Sequence, residues 1–291
     1  MIRNKINLKI VLLFLCYFFF RNLLTAQTLV SSGQIGNFNS ASSFSVNPAG
    51  FIFVSDSGKN EIIKLDTLGN VIKLVGGYGW AESSFDNPID VFANTLKVYV
   101  SDKNNNRIQM FDKDLNYLSQ FSTQSSGDDR SAFRYPTGAA VSTQGDLFIL
   151  DSDNNRILKY NMNGEFQLTI GGYDAGSFSL SVPKQFALTN KEILVIDSDW
   201  LVVFDQFGNG IKKIKLPFIP NNINEAFQNI CVNDKSQIIF FNEPNLENEN
   251  FNQITFTPNI EEEIVDSFVF NNKLYLLTKS SIFIFNIILK D

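Results

Sequence analysis

Four aspartates, Asp56, Asp102, Asp151 and Asp197, each close a short apolar run and open a polar turn. Carboxylates are the side chains of hard-cation sites and of general acid–base chemistry. Here they recur once every 46–49 residues, one per copy of a repeated phrase. Repeated units hold such residues apart on a ring instead of bringing them together. An Asp at a strand end accepts hydrogen bonds from nearby turn amides. Arg107 and Arg156 each follow such an Asp by five residues and can pair with it. These six residues therefore read as structural members of the repeat. Other chemistry is excluded by what is missing. The chain has no His, which removes Ser-His-Asp and Cys-His catalysis and every imidazole metal site. Cys16 falls in the leader, and Cys231 in an apolar run reads as a small buried hydrophobe.

The elements that must position these residues are short strands. Phe51–Asp66, Val98–Asp112 and Leu147–Asn161 share one order: apolar strand, Asp, polar turn, second apolar strand. Ile193–Asp205 is an eroded copy. A repeat of about 40–50 residues made only of short strands is the mark of a β-propeller blade. Aligning second strands gives six units: Phe51–Ser55, Val98–Ser101, Leu147–Leu150, Ile193–Ile196, Ile238–Phe241 and Leu274–Leu277. Each is expected to follow a first strand; Ile230–Val232 is taken for the fifth and Ile264–Phe270 for the sixth. The third strand of the fifth unit is expected at Gln253–Phe256, after an acidic, Asn-rich loop at 242–252. The orphan strand Gln27–Ser31 is expected to supply the outer strand of the last blade and so close the ring. The expectation is an all-β, six-bladed propeller of four-stranded blades, a single domain over residues 28–291.

Such a ring brings first strands to a central channel. The residues expected at its mouth are Ser43, Asp90, Gly138, Gln185, Asn229 and Asp266. Asp90, Gln185, Asn229 and Asp266 could hold Ca²⁺ through hard oxygen ligands. The plainer reading is a polar lining of a wet channel. Exposed aromatics on loops mark partner surfaces when they share a face. Trp80, Tyr173 and Trp200 are the candidates, and the sequence does not say whether they share one.

The pattern resembles the NHL repeat. Val98–Asp102, Arg107-Ile108, Phe133 and Tyr135-Pro136 carry the resemblance, as do Leu150-Asp151, Asn155-Arg156-Ile157, Gly164, Phe178 and Pro183. It covers residues 50–190 and weakens beyond about 217. It implies a six-bladed propeller, in agreement with the strand count. In outline the chain is also similar to metal-dependent six-bladed lactonases. NHL-type amidating lyases resemble it by repeat, but the His-rich zinc site that kinship implies has no counterpart here.

Residues 1–27 read as an export signal: Arg3, Lys5 and Lys9 precede an apolar run, Ile10–Phe20, with a small-residue cleavage site near Ala26. An apolar run of about eleven residues is too short to span a bilayer, and no later segment is longer. The net charge of −6, without a Lys/Arg cluster, argues against nucleic acid. These features together point to an exported protein, periplasmic, cell-surface or secreted. Its expected role is a non-enzymatic scaffold binding a protein or an envelope polysaccharide, with no cofactor. The alternative is a Ca²⁺-dependent lactonase or esterase at the channel mouth.

Overall fold

A computed structural model describes residues 27–124, 127–242 and 254–289. The described residues form six sheets of four antiparallel strands. Blade 1 is β2 (Ala41–Val46), β3 (Ile52–Asp56), β4 (Glu61–Leu65) and β5 (Val71–Gly76). Blade 2 is β6 (Pro88–Ala93), β7 (Lys97–Asp102), β8 (Arg107–Asp112) and β9 (Tyr117–Phe121). Blade 3 is β10 (Pro136–Val141), β11 (Leu147–Asp151), β12 (Arg156–Tyr160) and β13 (Phe166–Ile170). Blade 4 is β14 (Pro183–Leu188), β15 (Glu192–Asp197), β16 (Trp200–Asp205) and β17 (Gly210–Lys215). Blade 5 is β18 (Asn222–Ala226), β19 (Asn229–Asn233), β20 (Ile238–Asn242) and β21 (Ile254–Phe256). Blade 6 is β22 (Asp266–Phe270), β23 (Lys273–Leu277), β24 (Ile282–Leu289) and, from the start of the chain, β1 (Gln27–Ile35).

Burial follows position in the blade. In β3 and β11 all five residues are buried, because neighbouring blades cover both faces. The outer strands β5 and β17 alternate between exposed and half-buried residues. This explains why second and third strands read as near-continuous apolar runs and fourth strands do not. The core is divided into six clusters, one at each blade junction. One joins Phe44, Ile52 and Val54 of blade 1 to Phe268, Tyr275 and Leu277 of blade 6.

The turns between third and fourth strands share a device. Asp66 Oδ1 accepts the amides of Leu68 and Asn70, and Asp112 and Asp205 accept the amides two and four residues on in the same way. That is the Asx-turn chemistry of Asp in a tight loop.

The closing strand appears as expected, with Gln27 opposite Leu289 and Ile35 opposite Ile282. It is longer than the sequence suggests: Gly33 and Gln34 belong to the strand, past a bulge between Ser31 and Gly33. The fifth blade departs from expectation by one strand. Ile230–Val232 lies in its second strand, Ile238–Phe241 in its third, and Ile254–Phe256 is its fourth. The true first strand, Asn222–Ala226, reads NINEA and has little apolar signal, because its polar side chains line the channel. Residues 1–26, where the leader expectation falls, and 243–253 of the acidic loop lie outside the described residues.

Candidate binding face and channel

In a four-stranded meander, the hairpins between first and second strands and between third and fourth strands share one end. The hairpins between second and third strands lie at the other end, with the blade-to-blade connectors. The repeat aspartates sit at this connector end, and their oxygens are engaged there. Asp56 accepts the amides of Asn39, Ser40 and Gly58. Asp197 accepts those of Ser181 and Val182. Asp151 accepts the Arg134 amide and pairs with Arg156 at 2.9 Å. Asp102 accepts the Asp86 amide and pairs with Arg107 at 2.7 Å. Arg107 then donates to the carbonyls of Trp80, Ala81 and Ser84 and to Gln120 Oε1. Each carboxylate thus clasps the connector entering its own blade. In blade 5, Asn233 takes this place and accepts from Ser267 Oγ.

At the channel, Asp90 and Asp266 come together through Ser43. Ser43 Oγ donates to Asp90 Oδ1 at 2.9 Å and lies 3.5 Å from Asp266 Oδ2. Gln185 Nε2 and the Ala139 amide also donate to Asp90, at 3.0 and 3.1 Å. Asp266 accepts the amides of Ser267 at 2.7 Å and Phe44 at 3.2 Å, and Asn224 Nδ2 lies 3.5 Å away. Burial pushes the Asp90 carboxyl up to about 6 and the Asp266 carboxyl up to about 8, the charge of Asp90 adding to the second. Removing a carboxylate from water disfavours its charged form. Since Ser43 has one proton and gives it to Asp90, a protonated Asp266 can donate in turn to Ser43 Oγ. The chain Asp266–Ser43–Asp90 then shares one titratable proton between two carboxyls, across strands of blades 1, 2 and 6.

Asn229 does not belong to this group. It opens β19 at the far end of the molecule, where its Nδ2 donates to the Phe227 carbonyl at 3.1 Å. The one-strand slip in blade 5 put it at the mouth; Asn222, Ile223, Asn224 and Glu225 are the blade 5 residues that line the channel. Asn222 repeats the behaviour of Gln185 and Asp266, its side-chain oxygen accepting the next amide. The remaining set does not suit a hard cation. The Phe186 amide holds Gln185 Oε1, so that side chain aims its NH₂, a donor, at Asp90. Among the described residues no three His, Cys, Asp or Glu side chains group as metal ligands. The space between them, about 40 Å³, has room for water.

The aromatic candidates lie together at the connector end. Trp80 (68% exposed) lies on the connector from blade 1 to 2 and Tyr173 (97%) on that from blade 3 to 4. Trp200 (36%) follows the second-to-third hairpin of blade 4, with Lys215 Nζ 5.4 Å from its ring centre. Exposed Tyr78 and Tyr135, on the first two connectors, join them. Sequence reasoning had not singled out Tyr78 and Tyr135 as exposed, although their place before each first strand was legible.

The NHL repeat profile matches residues 133–160. Over 144 residues, 47% of this chain, the sequence is 32% identical to Protein brain tumor of Drosophila melanogaster. The match spans 13% of that protein's length. A gluconolactonase of Xanthomonas campestris has a similar structure, with a TM-score of 0.64 at 8% identity, covering 90% of this chain and 100% of that one. Virginiamycin B lyase of Staphylococcus aureus gives 0.59 at 12% identity, covering 90% and 100%. These structures share the fold.

Proposed function

We propose that this chain, an NHL-repeat six-bladed propeller, is a non-enzymatic, exported binding module that presents its connector face to a protein or an envelope polysaccharide. The observation that carries the reading is the gathering of Tyr78, Trp80, Tyr135 and Tyr173, from three successive connectors, on one face. Aromatic side chains left in water on a rigid scaffold supply contact area at low conformational cost. The connectors beneath them are held by the aspartate clasps, so the face needs little ordering on binding. The channel supports this reading over the hydrolase one. Its carboxylates are engaged by amides and by Ser43, not left free to activate a water.

The test compares the wild-type protein with a Trp80→Ala, Tyr173→Ala double variant. Both are presented to solubilised envelope proteins and to envelope polysaccharide. The variant is expected to melt as the wild type does and to lose a partner that the wild type retains. Equal retention by both would overturn the reading. Turnover of a lactone panel that vanishes in Asp90→Asn would transfer the function to the channel.

A further inference from the structure

The connector end of the channel opens into a hollow of about 460 Å³, a size usual for small-ligand sites. Three lysines line it, Lys184 from blade 4, Lys235 from blade 5 and Lys279 from blade 6, against one carboxylate, Glu263. Lys235 pairs with Glu263 at 2.9 Å. Lys184 Nζ is fixed by the Pro220 carbonyl at 2.7 Å and Asn221 Oδ1 at 3.3 Å, both neutral, so its charge stays uncompensated. Lys279 forms no ion pair among the described residues. The hollow is therefore cationic in a chain whose net charge is −6. The rest of its lining includes hydroxyl and amide groups.

We propose that this hollow binds a carboxylate-bearing sugar, a uronate residue of an acidic polysaccharide. Lys184 and Lys279 meet the carboxylate, and Asn221 meets sugar hydroxyls. Charge complementarity selects the anion, the hydroxyl and amide groups of the lining bond a polyhydroxylated one, and Ile89, Ile264 and Val265 pack against its ring carbons. Trp80 and Tyr173 on the same face offer flat surfaces for sugar rings further along the chain. The inference rests on the binding reading above and names the polysaccharide side of it.

The purified protein is titrated calorimetrically with a galacturonate trimer, its methyl ester and polyphosphate. The trimer is expected to bind saturably, one per protein, and less tightly as salt rises through the Debye regime. The ester, stripped of charge, is expected to bind about tenfold or more weakly, the equivalent of about 1.4 kcal/mol. Lys184→Met and Lys279→Glu should each weaken the trimer at least severalfold, whereas Lys273→Ala, on the opposite face, should not. The Lys279 side chain is exposed and forms no ion pair among the described residues, and its backbone bond to the Ala41 amide survives substitution, so its variant keeps the test valid if Lys184→Met unfolds. The proposal falls if the trimer does not bind, if the ester binds equally, or if Lys279→Glu binds as the wild type does. It also falls if polyphosphate binds as tightly and with the same variant dependence, the mark of an unspecific polyanion surface. An envelope partner lost only in the Trp80, Tyr173 variant, with no trimer binding, would sink this inference and leave the binding reading standing.

Discussion

Arg107 is 5% exposed and uses its guanidinium fully: one donor goes to Asp102 and the others to three carbonyls and Gln120. Cutting Asp102→Ala leaves that charge buried without its partner, a loss of about 3–5 kcal/mol. Urea unfolding should show the drop, and Arg107→Lys should recover little of it, because an ammonium cannot reproduce the planar fork. At the channel, both Asp90 and Asp266 bind protons more tightly when folded than the ordinary carboxyl at 3.8. The stability they contribute is therefore complete below about 4. It is lost as pH rises through about 6 for Asp90 and about 8 for Asp266. Each unit of such a shift corresponds to about 1.4 kcal/mol. Melting temperature should fall from pH 5 to pH 9, and Asp266→Asn, which keeps a donor toward Ser43, should flatten that slope. A variant whose slope matches the wild type would refute the one-proton chain.

At the scale of the strand, β1 is the decisive element. It covers the edge of β24 along its length, from Gln27 to Ile35, and joins the first described strand to the last. Without it β24 presents unpaired backbone groups to solvent, the template for sheet-to-sheet association. A chain beginning at Gly36 should unfold at lower urea and elute from size exclusion as oligomers. Gly76, the last residue of β5, has φ +144°, and a Cβ there would lie 2.3 Å from the Asn60 carbonyl oxygen. Gly76→Ala should cost about 1–3 kcal/mol, with the backbone as the obstacle and no side chain to move aside.

Over the whole molecule, stability is graded outward from the channel. Second and third strands are buried between blades, and fourth strands such as β5 and β17 are largely exposed. Amide exchange should follow that gradient, fast in β5, β9 and β17 and slow in β3, β7 and β11. The closed strand β1 should exchange more slowly than these other outer strands, because its loss opens the ring. Uniform protection across each blade would contradict this picture. The charge is also graded: a net −6 chain carries three lysines at one channel mouth.

The repeat in Phe51–Asp205 determined the fold, because strands buried on both faces must be apolar and turns need Asp, Asn and Gly. The aspartate clasps were legible for the same reason: a strand-end Asp recurs in each clear copy, with an Arg five residues on in two of them, Asp102/Arg107 and Asp151/Arg156. Blade 5 was not, since its channel strand NINEA lines the channel with polar side chains and has no apolar rhythm, and so Asn229 was placed at the mouth in place of Asn222. Only tertiary structure decided which residues meet. Ser43, Asp90 and Asp266 are separated by up to 223 residues, and Lys184, Lys235 and Lys279 come from three blades. No local pattern records such neighbours, because ring closure, which spaces one blade against the next, is what brings them together.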